Sequence, residues 1–220
     1  MTDSSKSSPS FQGRYWSHLH TVYSHGVATV RDYFDAAREL QIDQLIFLEH
    51  TRLAPTYDTA AFIGEVRDEA AVAGVEAYVG FEAKILPGGR LDISDEVLET
   101  AQAVGIAEHS YPGDANALAL DFARLVSEVT RSFPQQTFIW VHPGSWLVRH
   151  GKKVDGPAFA AMRDAAISAH VRIERNLKYD LVPAEIYRLL AADATVFGLD
   201  AHSIDDAHER WARQVFETQC

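Results

Sequence analysis

The chain has 220 residues, 47% apolar and 23% charged, the proportions of a globular protein, which excludes wholesale disorder. Twenty Lys and Arg against 31 Asp and Glu leave a net charge of −11, so a protein that tracks phosphate backbones or anionic membranes is excluded. The lone cysteine, Cys220, excludes an intrachain disulfide. With no basic-then-apolar leader pattern and no apolar run of ~20 residues, a cytoplasmic protein is expected.

Residues 1–13 are Ser-rich and polar and are expected to form a flexible tail ahead of one domain over 14–220. From Arg14 onward, short apolar runs rich in β-branched and aromatic residues alternate with amphipathic segments. The runs predict strands at Tyr15–His20, Gln44–Glu49, Val75–Glu82, Val104–His109, Thr137–His142, Val171–Glu174 and Thr195–Asp200. Between them, Val30, Phe34 and Ala37 recur at helical spacing, as do Leu118, Phe122, Leu125 and Val129, and Ile204, Ala207, Trp211 and Val215. Pro157 and Pro183 suit first helical turns, and Ser203 with Asp206 reads as a variant capping box. Pro87-Gly88-Gly89 marks a loop before a weaker helix near Asp95–Ala103. Seven strands alternating with helices predict a parallel α/β sheet, either open or closed into a barrel.

The polar residues favour the barrel. His18 and His20 lie at the end of the first predicted strand, Glu49 and His50 at the second, and Glu82 at the third. His109 and His142 end the fourth and fifth, Glu174 ends the sixth with Asn176 nearby, and Asp200 ends the seventh with His202 just beyond. In a parallel α/β barrel these ends converge on the face where active sites are built. His18 and His20, two residues apart, point the same way along a strand and can grip one ion. So many imidazoles and carboxylates between apolar walls call for cations, and this donor mixture suits Zn, Fe or Mn better than Mg. His150, His170 and His208 fall outside the pattern and are expected at the surface.

These residues resemble the motifs of the PHP family, the polymerase and histidinol phosphatase domain. The resemblance rests on Ser17-His18-Leu19-His20-Thr21-Val22-Tyr23-Ser24-His25-Gly26, Leu48-Glu49-His50 and Gly80-Phe81-Glu82. His109, Val141-His142-Pro143, Glu174-Arg175-Asn176 and Gly198-Leu199-Asp200-Ala201-His202 follow in the family's order. The resemblance implies a distorted (β/α)7 barrel with a metal cluster at the C-terminal ends of the strands. It implies His18, His20, Glu82 and Asp200 at one ion, Glu82, His109 and His142 at a second, and His25, His50 and His202 at a third. His25 replaces the usual aspartate, adding an imidazole, and Leu199 replaces the usual serine before the final aspartate.

The expected activity is hydrolysis of a small phosphomonoester by a metal-activated hydroxide, with two or three divalent ions (Zn, Mn or Fe) as cofactors and Glu82, Asp200 and His202 as catalytic residues. The substrate phosphate needs further cations, for which Arg52, Lys84, Arg149, Arg175 and Lys178 are candidates, Arg52 and Lys178 foremost, because each follows a predicted strand end. Trp146 in the loop after His142 is a candidate stacking surface, whereas Trp140 reads as core. Three other readings compete: cleavage of phosphodiesters in short nucleotides, an amidohydrolase-like reaction, and a non-catalytic metal-stabilised binding domain. A small phosphorylated partner is expected, with neither long nucleic acid nor a membrane.

Overall fold

A computed structural model describes residues 8–219, and the first part of the expected tail, 1–7, lies outside them. Residues 8–13 are held against the body. Ser8 Oγ donates to Gln135 O at 2.8 Å, Gln44 Nε2 donates to Ser10 Oγ at 2.6 Å, and the Phe11 ring packs edge-on against Tyr15. The ordered domain therefore takes in the second half of the segment expected to be free.

The strands are β1 (Tyr15–Leu19), β2 (Gln44–Phe47), β3 (Glu49–His50), β4 (Glu76–Tyr78), β5 (Gly80–Leu86), β6 (Arg90–Leu91), β7 (Ala103–Ala107), β8 (Thr137–Trp140), β9 (Arg172–Asn176) and β10 (Thr195–Gly198). The helices are α1 (Val30–Leu40), α2 (Thr59–Ala73), α3 (Asp95–Thr100), α4 (Ala115–Ser132), α5 (Ser145–Arg149), α6 (Pro157–Ser168), α7 (Ala184–Arg188) and α8 (Ile204–Gln219). Two predicted strands are each split in two, the second at Leu48 and the third at Val79. The parallel ladders consequently fall into two sheets, β1-β2-β4 and β10-β9-β8-β7-β5-β3. Backbone bonds from Leu199 N to Ser17 O and from Ala201 N to His18 O join the last strand position to the first. The architecture is a distorted (β/α)7 barrel. One local expectation fails: the chain after Glu82 is not yet a loop, because β5 runs on to Leu86 and turns back through Pro87-Gly88-Gly89 to pair antiparallel with β6.

Local chemistry sets the helix starts. Thr29 and Asp32 form a reciprocal capping box at α1, Asp58 caps α2 through Ala61 N, Ser94 caps α3, and Asp114 caps α4 through Asn116 N and Ala117 N. Pro157 occupies the first turn of α6, whereas Pro183 sits one position earlier, as the cap of α7. Ser203 Oγ accepts from Asp206 N, and the Asp206 carboxylate accepts in turn from His202 N, so the start of α8 is tied to the last histidine of the motif.

Parallel strands covered by helices on one side and facing one another across the barrel on the other are buried on both faces. The larger core lies between strands and helices and includes Trp16, Phe47, Phe62, Phe81, Phe122, Trp140 and Phe159. Tyr15, Ile46, Leu48, Tyr78, Ala103, Ile139, Val141 and Val196, at alternate strand positions, form a separate cluster. The apolar filling gives way to polar side chains at the strand ends. No helix among the described residues is long and apolar enough to cross a membrane.

Candidate metal centre

β1 delivers the first two histidines through an irregularity. Its register against β2 shifts between Ser17 and Leu19, and His18 takes φ 66°. His142 just after β8 (φ 32°) and Asp200 just after β10 (φ 48°) share this left-handed backbone, which non-glycine residues rarely adopt. Strain of this kind, of order 1–3 kcal/mol per residue, persists only where the surroundings hold it in place. At each of these three strand ends the bend turns a donor side chain toward a common centre.

That centre is tightly filled. Glu82 is 3% exposed, and its carboxylate lies 3.2 Å from His18 Nε2, 3.2 Å from His50 Nδ1 and 3.1 Å from His142 Nε2. The rings of His20 and His50 stack at 4.3 Å, those of His25 and His50 at 4.2 Å, and His25 Nε2 lies 3.1 Å from His202 Nε2. His109 approaches His142 with ring centroids 5.2 Å apart. Thus all seven motif histidines meet Glu82 and Asp200 in one cluster. His150, His170 and His208 stay outside it; His150 instead stacks on Trp146 at 3.9 Å.

The groups of the cluster shift one another's protonation in opposite directions. Burial alone would raise Glu82, but His142 and His18 hold its carboxyl well below the usual range, and Asp200 is lowered by His18 and His142 in the same way. Burial, reinforced by neighbouring imidazoles, pushes His20 well below its ordinary value. His50 and His109 are each lowered to about 4, with burial the larger cause, although Glu82 opposes it in both. His18 goes the other way, because Glu174 and Asp200 outweigh its burial.

His20 gives the clearest test of whether ions fit. Fully buried, it leaves both Nδ1 and Nε2 without a hydrogen-bond partner, its nearest carboxylate oxygens being 3.6 and 3.9 Å away on Glu82 and Asp200. A buried imidazole with no partner costs about 1–3 kcal/mol unless something else coordinates it. Donor atoms of His20, His50 and His202 lie within 4.8 Å of one another, as do those of His18, Glu82 and His142, and of His18, His20 and Asp200. Imidazole nitrogens and carboxylate oxygens at this spacing suit several divalent transition ions.

Three further buried glutamates brace the cluster. Glu49 accepts from Thr21 N at 2.5 Å and from Ser24 Oγ, holding the loop that carries His25. Glu108 accepts from Trp140 Nε1 at 2.9 Å and from Trp146 N at 3.3 Å, fixing the start of α5. Burial is the main reason that both carboxyls are raised to about 7. Glu174 lies between β1 and β8, with His18 Nδ1 at 2.5 Å and His142 N at 2.6 Å. Strand-end position made Glu49 and Glu174 visible in the sequence, but their contacts run across the barrel and have no local signature. Glu108, one residue before a motif histidine, carried no signal of its own.

A cavity of about 460 Å³ opens above the cluster, and Arg52, Lys84, Arg149 and Lys178 all line it. Lys178 Nζ reaches Asp200 Oδ1 at 3.0 Å and His202 Nδ1 at 3.5 Å. Arg175 points elsewhere. It pairs with Glu217 at 2.6 Å and lies over Tyr187 and Phe197 on the outer side of β9, because successive strand residues face opposite ways. Trp146 is also no stacking surface: it is 3% exposed, donates to Tyr111 O at 2.7 Å and is covered by His150.

The sequence matches the PHP domain over residues 17–180. The chain belongs to the PHP domain family. Family and donor set together make it a metal-dependent hydrolase of the phosphoesterase kind, with a site built for more than one ion. No curated protein matches it in sequence. Among solved structures, a histidinol phosphate phosphatase from Lactococcus lactis, crystallised with zinc, L-histidinol and phosphate, is similar in fold, with TM-score 0.61, 13% identity and 93% of each chain covered. An amidohydrolase II is less similar (TM-score 0.49, 13% identity, 94% of this chain and 92% of the other). A candidate metal-dependent phosphoesterase from Bifidobacterium adolescentis reaches TM-score 0.40 at 14% identity, covering 92% of this chain and 97% of the other.

Proposed function

We propose that the protein hydrolyses a small phosphomonoester, a histidinol-phosphate-like compound or a sugar or nucleotide phosphate, using two or three Zn, Mn or Fe ions. His18, His20, Glu82 and Asp200 would hold one ion, Glu82, His109 and His142 a second, and His25, His50 and His202 a third. Such ions lower the pKa of a water molecule toward neutrality and offset charge on phosphoryl oxygens. The observation that carries the reading is the coincidence of this donor cluster with a cavity of about 460 Å³ lined by four basic side chains.

The chain's own residues then have distinct tasks. Lys84 and Arg149 lie near enough to His109 to oppose its protonation, and Lys178 stands beside Asp200 and His202. A dianionic phosphoryl group within reach of these side chains gains charge-assisted hydrogen bonds, and the exposed Arg52, also lining the cavity, adds positive charge. Val148, Tyr179 and Leu181 line the remaining wall and offer apolar contact to the alcohol part. The volume suits a small molecule, and a net charge of −11 repels a long polyanion. Glu82 and Asp200 would hold ions beside the phosphoryl group, and His202, in contact with Lys178 and His25, lies between that cluster and the basic wall of the cavity.

The test is to load the purified protein with Zn, Mn or Fe and assay a panel of phosphomonoesters, phosphodiesters and amides. Phosphomonoester hydrolysis is expected, with Lys178→Ala raising KM more than it lowers kcat, because uniform binding of phosphate is what that side chain would supply. Diester or amide cleavage without monoester cleavage would overturn the reaction class, and no hydrolysis under any metal would favour a binding domain.

A further inference from the structure

We infer that Glu174 is a positioning residue of the metal centre: one carboxylate sets which nitrogen of His18 faces the ions and pins the backbone of His142. The inference rests on the reading that His18 and His142 hold metal, and it assigns Glu174 no place among the ligands themselves.

Both Glu174 oxygens are already engaged. Oε1 is 2.5 Å from His18 Nδ1, and Oε2 accepts from His142 N at 2.6 Å and from Asn176 Nδ2 at 2.9 Å. The side chain is 1% exposed, so solvent does not compete for these donors. A carboxylate at Nδ1 keeps the His18 proton there and leaves Nε2, 3.2 Å from Glu82, as the nitrogen that faces the cluster. The same carboxylate holds His142 at the point where its φ is 32°, and His18 has φ 66°. One group therefore bridges two strained strand ends on opposite sides of β9, and each strained residue carries an imidazole of the cluster. Carboxylate–histidine–metal arrangements are the general way in which proteins fix ligand tautomer and orientation.

The neighbouring strand leaves room for this carboxylate alone. Gly198 on β10 pairs in register with Asn176, and a Cβ added there would overlap the Glu174 side chain, including Oε1. Here the absence of a side chain serves a contact between other residues and not a backbone angle, because Gly198 lies in regular strand. Tyr187 Oη donates to Glu174 O at 2.8 Å and secures the backbone from outside.

The hydrogen-bond arithmetic separates glutamate from glutamine. Two carboxylate oxygens receive three N–H donors, whereas glutamine offers one oxygen and one NH2. If the amide oxygen serves His142 and Asn176, the NH2 faces His18 Nδ1 and drives the ring proton to Nε2, blocking the nitrogen that faces the cluster. In the other orientation the NH2 opposes two further donors. Either way His18 or His142 is lost to the ions while the side-chain volume is unchanged.

The experiment measures Zn2+ affinity by competition with a chromophoric chelator, together with melting of the metal-free protein, for wild type, Glu174→Gln, Gly198→Ala and the double variant. Glu174→Gln is expected to hold its tightest ions about 10–100-fold more weakly. Gly198→Ala, which touches no ligand, should weaken binding in the same direction by displacing the carboxylate, and the double variant should be no weaker than the weaker single. If Gly198→Ala does not fold, Glu174→Gln decides alone. Zn2+ affinity equal to wild type in Glu174→Gln overturns the inference, even if its metal-free form melts lower, since a purely structural role would do just that. The readout needs no substrate: a wild type that binds Zn2+ but hydrolyses no phosphomonoester defeats the proposed activity and leaves the role of Glu174 to be scored by affinity.

Discussion

The two ends of the strands follow opposite rules. Toward their beginnings and middles, β5, β7 and β8 are packed with apolar side chains in ordinary strand conformation: Phe81, Val104, Phe138 and Ile139 are at most 2% exposed. At the C-terminal ends of β1, β8 and β10 the chain bends through left-handed residues at His18, His142 and Asp200 and buries imidazoles and carboxylates. One end gains stability from apolar burial, roughly 25 cal/mol per Å² removed from water. The other holds charge and strain that stability alone would not select. Strain and buried charge held in place by their surroundings mark a functional site, and the two ends yield variants that should separate them.

The largest effect is expected from the ion end. Glu82→Gln keeps the volume and removes the charge shared by His18, His50 and His142, so turnover should fall by several orders of magnitude while circular dichroism stays native. Near-normal turnover would show that Glu82 does not hold ions. Next comes the apolar end. Phe138, the second residue of β8 and 2% exposed, should cost about 3–5 kcal/mol of stability as Phe138→Ala in urea unfolding. Turnover per folded molecule should hold, and a specific loss of turnover would mean that the two ends are not separable.

A smaller effect has the opposite sign. His20 has no hydrogen-bond partner at either nitrogen, so His20→Leu should stabilise the metal-free protein by about 1–3 kcal/mol while weakening ion binding. Destabilisation of the metal-free form would show that His20 is satisfied within the protein.

The sequence made the two ends unequally legible. Ligand-type residues at the close of each apolar run were readable because strand period and strand end are local properties, and the helical faces at Val30, Phe34 and Ala37 and at Leu118, Phe122, Leu125 and Val129 are buried or nearly so. What escaped was anything set by contact across the barrel. The splits at Leu48 and Val79 follow from the distortion of the ring, and left-handed backbone at histidine and aspartate leaves no mark in composition. Arg175 and Trp146 had the right chemistry near the right strands, yet side-chain direction placed one outside β9 and tertiary packing covered the other. Gly198 belonged to a motif, but its reason, clearance for Glu174 on the next strand, needed the fold.

The central claim is that the strand ends are built around several cations. Elemental analysis of the protein purified without chelators, and again after reconstitution with Zn, Mn and Fe, tests it directly. Nine donor residues in one cluster exceed what a single four-coordinate ion uses, so two or three ions per chain are expected. Less than one equivalent after reconstitution would contradict the claim.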